Sequence, residues 1–67
     1  TMYGQRIREL RLERNITQDQ LAKELGVTQK NISKYELEQL DLNTETLIQI
    51  CRLFDVSADY LLGLKDY

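Results

Sequence analysis

Between Thr17 and Tyr35 the chain carries two capped, amphipathic segments with a single glycine between them. That arrangement leaves little freedom in how the segments can pack. Thr17 can accept a hydrogen bond from the amide of Gln20, and Gln20 can reach back to Thr17, the reciprocal pattern that opens a helix. Leu21, Ala22 and Leu25 then form one apolar stripe. Gly26 follows at the point where the helix must stop, and glycine takes the positive φ of such a stop without steric cost. Thr28 caps a second segment, Gln29 to about Leu37, with Ile32 and Tyr35 turned inward. Two short helices so placed meet at a steep angle across a turn of about three or four residues. Ala22 is small where the following helix crosses it, and Val27 plugs the turn from beneath.

The remainder of the 67 residues reads as helix as well. A first helix runs from about Gly4 to Arg14, with Ile7 and Leu10 toward the core and Arg6, Arg8, Glu9 and Glu13 toward water. Asn15 ends it, because its short side chain tolerates left-handed backbone. Asn43 or Thr44 opens a fourth helix with Leu47, Ile50, Cys51 and Phe54 on one face. Ser57 caps a short fifth helix, Ala58 to Leu62, closed by Gly63. With no proline and three glycines, the chain is expected to be an all-α, compact five-helix bundle, one domain spanning residues 1–67. A domain of this size buries only about 60% of the surface its unfolded chain exposes, which leaves no room for a full core and a substrate pocket together. Met2 is read as the native start and Thr1 as an added residue. Leu64 to Tyr67 read as a frayed end or the start of a connection. Tyr60, Leu64 and Tyr67 either form a dimer surface or pack against the body of the domain.

Composition removes several classes of function. There is no histidine and one cysteine, so neither a Cys/His nucleophile pair nor a zinc site can be assembled, and no glycine-rich phosphate loop exists. No catalytic residue, metal site, cofactor or small-molecule site is expected, and the chain is not read as an enzyme. Cys51, between Leu47 and Phe54, reads as a buried, inert thiol. No apolar run approaches the roughly 20 residues of a membrane span. No signal peptide is visible, and a lone cysteine fits a reducing compartment; the expected location is cytoplasmic. The net charge is −2, against the basic balance usual in nucleic-acid binders. Charge is unevenly placed, however. Residues 1–16 set Arg6, Arg8, Arg11 and Arg14 against Glu9 and Glu13, whereas the later stretches are acidic. Any basic face must come from few residues placed by geometry.

The outer side of the Gln29–Leu37 segment holds Gln29, Lys30, Asn31, Ser33 and Lys34. Glutamine and asparagine suit bidentate pairing with adenine, and lysine suits guanine acceptors or a phosphate. Gln18 stands at a helix start, where free amides and the helix dipole favour a phosphate. A polar helix face is often merely solvated. A small residue, a turn glycine and apolar positions at this spacing, followed by a capped polar helix, say more together than solvation explains.

These residues resemble the phage repressor and Cro type of helix-turn-helix, also called the xenobiotic-response-element type. The similarity runs from about Tyr3 to Gly63. It is carried by Arg6 to Arg11, Thr17-Gln18, Leu21-Ala22, Leu25-Gly26-Val27, Ile32 to Glu36, Glu45-Thr46-Leu47, Phe54 to Ser57 and Leu61-Leu62-Gly63. The resemblance implies a lambda-repressor-like bundle that binds double-stranded operator DNA, usually as a homodimer on a palindrome, and so a transcriptional regulator, a repressor above all. It puts Gln29, Lys30, Asn31 and Lys34 at base edges and Gln18 at a phosphate. Thr28, Ser33 and Arg14 are further expected phosphate contacts, with Arg8 beside them. It also pairs Arg11 with Glu36 as a structural ion pair. One stretch departs from the family. Glycine, basic residues, proline and serine are common after the recognition helix, but here the run is Leu37-Glu-Gln-Leu-Asp-Leu-Asn43, with Glu38 at the glycine position and Leu42 at the proline position. A phosphate clamp is thereby lost, and Leu37, Leu40 and Leu42 either pack on the core or dock on a partner. The alternative function is a protein-interaction or dimerisation module on the same fold, such as an antitoxin-like component.

Overall fold

The computed structural model describes residues 3–66. Five helices follow one another with no strand among the described residues: α1 (Tyr3–Glu13), α2 (Gln18–Leu25), α3 (Gln29–Glu36), α4 (Thr44–Phe54) and α5 (Ala58–Leu61). Four begin on a side-chain cap that satisfies an otherwise unpaired amide. Thr17 and Gln20 close their box in both directions, at 3.0 and 2.8 Å. Thr28 caps α3, Asn43 caps α4 and Ser57 caps α5. The cap of α4 is therefore Asn43, with Thr44 its first helical residue.

Each helix supplies one side chain with no exposed surface at all: Ile7, Leu21, Ile32, Ile50 and Leu61. These five interlock with Tyr3, Leu10, Ala22, Leu25, Tyr35 and Phe54 in a single core. Gly26 takes φ 70° and joins α2 to α3. A Cβ there would meet nothing within 4 Å, so the requirement for glycine is one of backbone conformation alone. Asn15 and Asp55 take the same left-handed conformation at the ends of α1 and α4.

Several expectations need correction. α3 ends at Glu36 and α5 at Leu61, with Leu37 and Leu62 as their C-caps. α1 begins at Tyr3 and ends at Glu13 rather than running from Gly4 to Arg14. Cys51 is half-buried rather than buried, and partial desolvation pushes its thiol pKa up. On α4 the buried polar residue is Thr46. Arg6 does not face water. Its guanidinium lies 4.2 Å from the Tyr60 ring centroid and donates to the carbonyl of Lys65 at 3.2 Å. Tyr60 accordingly packs on the body of the domain, while Leu64 is 72% exposed. Thr1, Met2 and Tyr67 lie outside the described residues.

Gly4 carries a constraint the sequence did not reveal. It sits in the first turn of α1 against the end of α3, and a Cβ there would press on the carbonyl oxygens of Glu36 and Tyr35, the latter at 2.8 Å. Backbone oxygens held at a helix end cannot retreat as a flexible side chain can. In an open helix Gly→Ala stabilises by about 1 kcal/mol; here overpacking of about 1–3 kcal/mol opposes it. Gly4→Ala is expected to lower the thermal midpoint, read by circular dichroism. A raised midpoint would show that α1 can slide away from α3.

Candidate nucleic-acid interface

The polar side of α3 stays clear of the core. Thr28, Gln29 and Lys30 are exposed, and Asn31, Ser33 and Lys34 are half-buried. Ile32 and Tyr35, on the opposite side, are buried. The surface thus begins at a helix N-terminus, where the first amides lack intrahelical partners and carry the positive end of the dipole. Lys30 and Lys34 have no ion-pair partner among the described residues.

Behind this surface runs a chain of polar contacts. Arg11, from α1, grips the carboxylate of Glu36 at the end of α3 in a fork, Nε to Oε2 at 2.7 Å and Nη2 to Oε1 at 3.1 Å. Its remaining nitrogen, Nη1, donates to the carbonyl of Ile16 at 3.0 Å. Both side chains are almost fully enclosed, 10% and 4% exposed. Gln18 Nε2 also donates to Glu36 Oε1, at 3.1 Å. Gln18 Oε1 in turn accepts from Gln29 Nε2 at 2.7 Å. The first residue of α2 therefore holds the first residue of α3. Its amide is oriented by the same carboxylate that Arg11 neutralises. The side-chain carbonyl of Gln29 is left for an outside donor. Periodicity gives no sign of this network, because its members are 11 to 25 residues apart.

Not every residue singled out from the sequence joins this group. Arg14 lies elsewhere: Nη1 and Nη2 donate to the carbonyls of Leu53 and Phe54, both at 3.3 Å, and the guanidinium lies 5.4 Å from the Phe54 ring centroid. It helps line a groove of about 550 Å³ with Leu10, Phe54 and Tyr60, a volume within the range of small-ligand clefts. In the connection after α3, Leu42 packs on the core, whereas Leu37 is 64% and Leu40 36% exposed. Glu38 adopts φ 58°, the backbone for which glycine is best suited. Its carboxylate accepts from the amide of Gly4 at 3.3 Å. Tyr3 donates its hydroxyl to the carbonyl of Leu40 at 3.0 Å. Burial, then the nearby Asp41 and Glu38 carboxylates, push its phenol pKa up. This connection is tied to α1 by polar contacts and offers no positive charge.

The match to the family described as "Helix-turn-helix domain" extends over residues 4–66. The chain belongs to that family. Curated members similar to it include two HTH-type transcriptional regulators of Bacillus subtilis strain 168. YobD is 42% identical over 97% of this chain and 58% of its own length, and ImmR is 40% identical over 90% and 47%. The chain thus spans about half the length of these relatives. Among solved structures, the P22 c2 repressor in complex with a synthetic operator superposes with a TM-score of 0.84 at 34% identity, covering 91% of this chain and 92% of that one. The N-terminal DNA-binding domain of SinR from Bacillus subtilis superposes with a TM-score of 0.81 at 31% identity, covering 91% and 90%. The family's architecture, an all-helical bundle around a helix-turn-helix, is the one described above.

The enclosed ion pair gives a prediction. Removing one member of a buried pair leaves the other charge uncompensated, at a cost of about 3–5 kcal/mol, whereas replacing both by apolar residues is close to neutral. Glu36→Ala should therefore destabilise the domain severely in urea titrations, and Arg11→Met/Glu36→Leu should recover most of the loss. A mild effect of the single change would mean that water reaches Arg11.

Proposed function

We propose that this chain is the DNA-reading domain of a transcriptional regulator, a repressor by mode of action, with α3 entering the major groove N-terminus first. The observation that carries the reading is the outward polar side of α3, backed by the Glu36–Gln18–Gln29 chain that fixes its leading residue. The likeness to a repressor seen with its operator supports it. Gln29, Lys30, Asn31 and Lys34 are assigned to base edges, and Gln18, Thr28 and Ser33 to phosphates. Arg14, already engaged by two carbonyls, is assigned to holding α4 against α1. The domain acts as a homodimer, its two recognition helices reading palindromic half-sites about 34 Å apart. Occlusion of a promoter then needs no catalysis and no cofactor, and the site of action is the cytoplasm. No described helix is long and apolar enough to cross a membrane.

The test is selection of bound sites from a randomised duplex pool, followed by titrations of the winning site across a salt series. Lys30 and Lys34 bring about four cations per dimer into the counterion atmosphere of the duplex, so log K should fall against log salt with a slope no steeper than about −3.6. Lys30→Ala should change the preferred bases, and Gln18→Ala should weaken all sequences and relax the preference at the base that Gln29 reads. Because Gln18 holds Gln29, alanine changes at these two positions should be non-additive in a double-mutant cycle. No enrichment and a flat salt response would favour a protein partner instead.

A further inference from the structure

The groove between the last turn of α1 and the α4–α5 turn takes no part in the reading above. Leu10 and Phe54, both buried, form its floor, and the half-buried Val56 and Tyr60 line its sides. Its charges are unevenly matched. Both cations along it are engaged: Arg14 donates to the carbonyls of Leu53 and Phe54, and Lys65 Nζ lies 3.7 Å from Asp59 Oδ2. Glu13 and Asp55 also line the groove, and both are exposed. Their carboxylates have no ion-pair partner among the described residues.

We propose that this groove binds a small organic monocation with an aromatic body. The protein already seats one cation here. The Arg14 guanidinium rests on carbonyls that end α4, at the negative end of the helix dipole, and lies 5.4 Å from the Phe54 ring centroid. With those acceptors taken, Glu13 and Asp55 are the charges that a second cation meets. A flat hydrocarbon body covers Leu10, Phe54, Val56 and Tyr60 from water, and a volume of about 550 Å³ is within the range of small-ligand clefts. An anion, by contrast, meets two unpaired carboxylates. A domain this small cannot enclose its ligand, so part of the bound molecule stays in water and the affinity is weak, about millimolar. The site is a surface groove rather than a pocket in the core, and it does not depend on the DNA reading.

The probe is naphthylmethylammonium, titrated into the isotope-labelled chain and followed by amide chemical shifts. Naphthalenemethanol serves as its neutral counterpart and naphthoate as the anion. Shifts should move at Leu10, Glu13, Phe54, Asp55, Val56 and Tyr60. The ammonium should bind about fivefold more tightly than the alcohol, the amount that two exposed charge pairs supply, and naphthoate more weakly than either. Glu13→Gln alone, on an exposed helix face, should lower that preference to about twofold. Glu13→Gln/Asp55→Asn should bind ammonium and alcohol equally well. Asparagine tolerates the left-handed backbone at Asp55, and an unchanged affinity for the alcohol would show the groove intact. An ammonium no tighter than the alcohol, a preference that survives both substitutions, or shifts scattered away from the groove would overturn the proposal. So would binding that is lost as protein concentration rises, which would give the groove to a second copy. Site selection from the duplex pool uses no such probe, so either experiment can fail without the other.

Discussion

The arrangement of the first three helices depends on one enclosed carboxylate. Glu36 receives two donors from Arg11 and one from Gln18, so α1, the start of α2 and the end of α3 converge on a single side chain. The core could be formed by aliphatic side chains in several rotations of α3 about its own axis, since apolar packing is weakly directional. A forked guanidinium–carboxylate contact is directional. It fixes the angle of α3 and, through Gln18 and Gln29, the position of its leading residue. The same arrangement ties stability to the candidate site. A change that disturbs Glu36 disturbs the surface presented by α3 even though Glu36 itself faces inward.

The parts of the fold that were legible in the sequence are those governed by neighbours within one turn. Thr17 with Gln20, Thr28, Ser57 and Gly26 each act on residues at most a few positions away, and the structure has them where local chemistry puts them. The apolar stripes of α2 and α3 likewise follow from helical spacing. What could not be read comes from contacts between distant segments. Arg6 looks like a water-facing residue on α1 until Tyr60 and the carbonyl of Lys65 arrive from the far end of the chain. Gly4 looks like an indifferent first-turn residue until the end of α3 presses against it. Arg14 has the look of a phosphate ligand, and nothing local foretells that the carbonyls ending α4 will occupy it. The leucines after α3 divide for the same reason: Leu42 finds the core and Leu37 does not.

The departure after α3 becomes intelligible through Tyr3 and Gly4. A connection with glycine and basic residues would be free to lie along a phosphate backbone. This one places Glu38 in left-handed backbone despite the strain of a side chain there. The segment gains a carboxylate on the amide of Gly4 and a tyrosine hydroxyl on the carbonyl of Leu40. It has become a strap that fastens α3 to α1. Its acidity makes it a poor electrostatic partner for DNA, so positive charge must be supplied from elsewhere.

That charge is scarce. Of nine arginines and lysines, Arg6, Arg11 and Arg14 are engaged by aromatic rings, carbonyls and Glu36. Lys23 and Lys65 have carboxylates close by. Lys30 and Lys34 are left on α3, and Arg8 and Arg52 elsewhere. An acidic domain with two free lysines on α3 draws little on counterion release, the term that gives most DNA-binding proteins their non-specific affinity. In the proposed reading, more of the binding comes from oriented amides at the N-terminus of α3 and from hydrogen bonds of fixed geometry such as those Gln29 can offer. Each of these depends on accurate placement rather than on net charge. A rigid polar network behind α3 is the feature that such a division of labour requires.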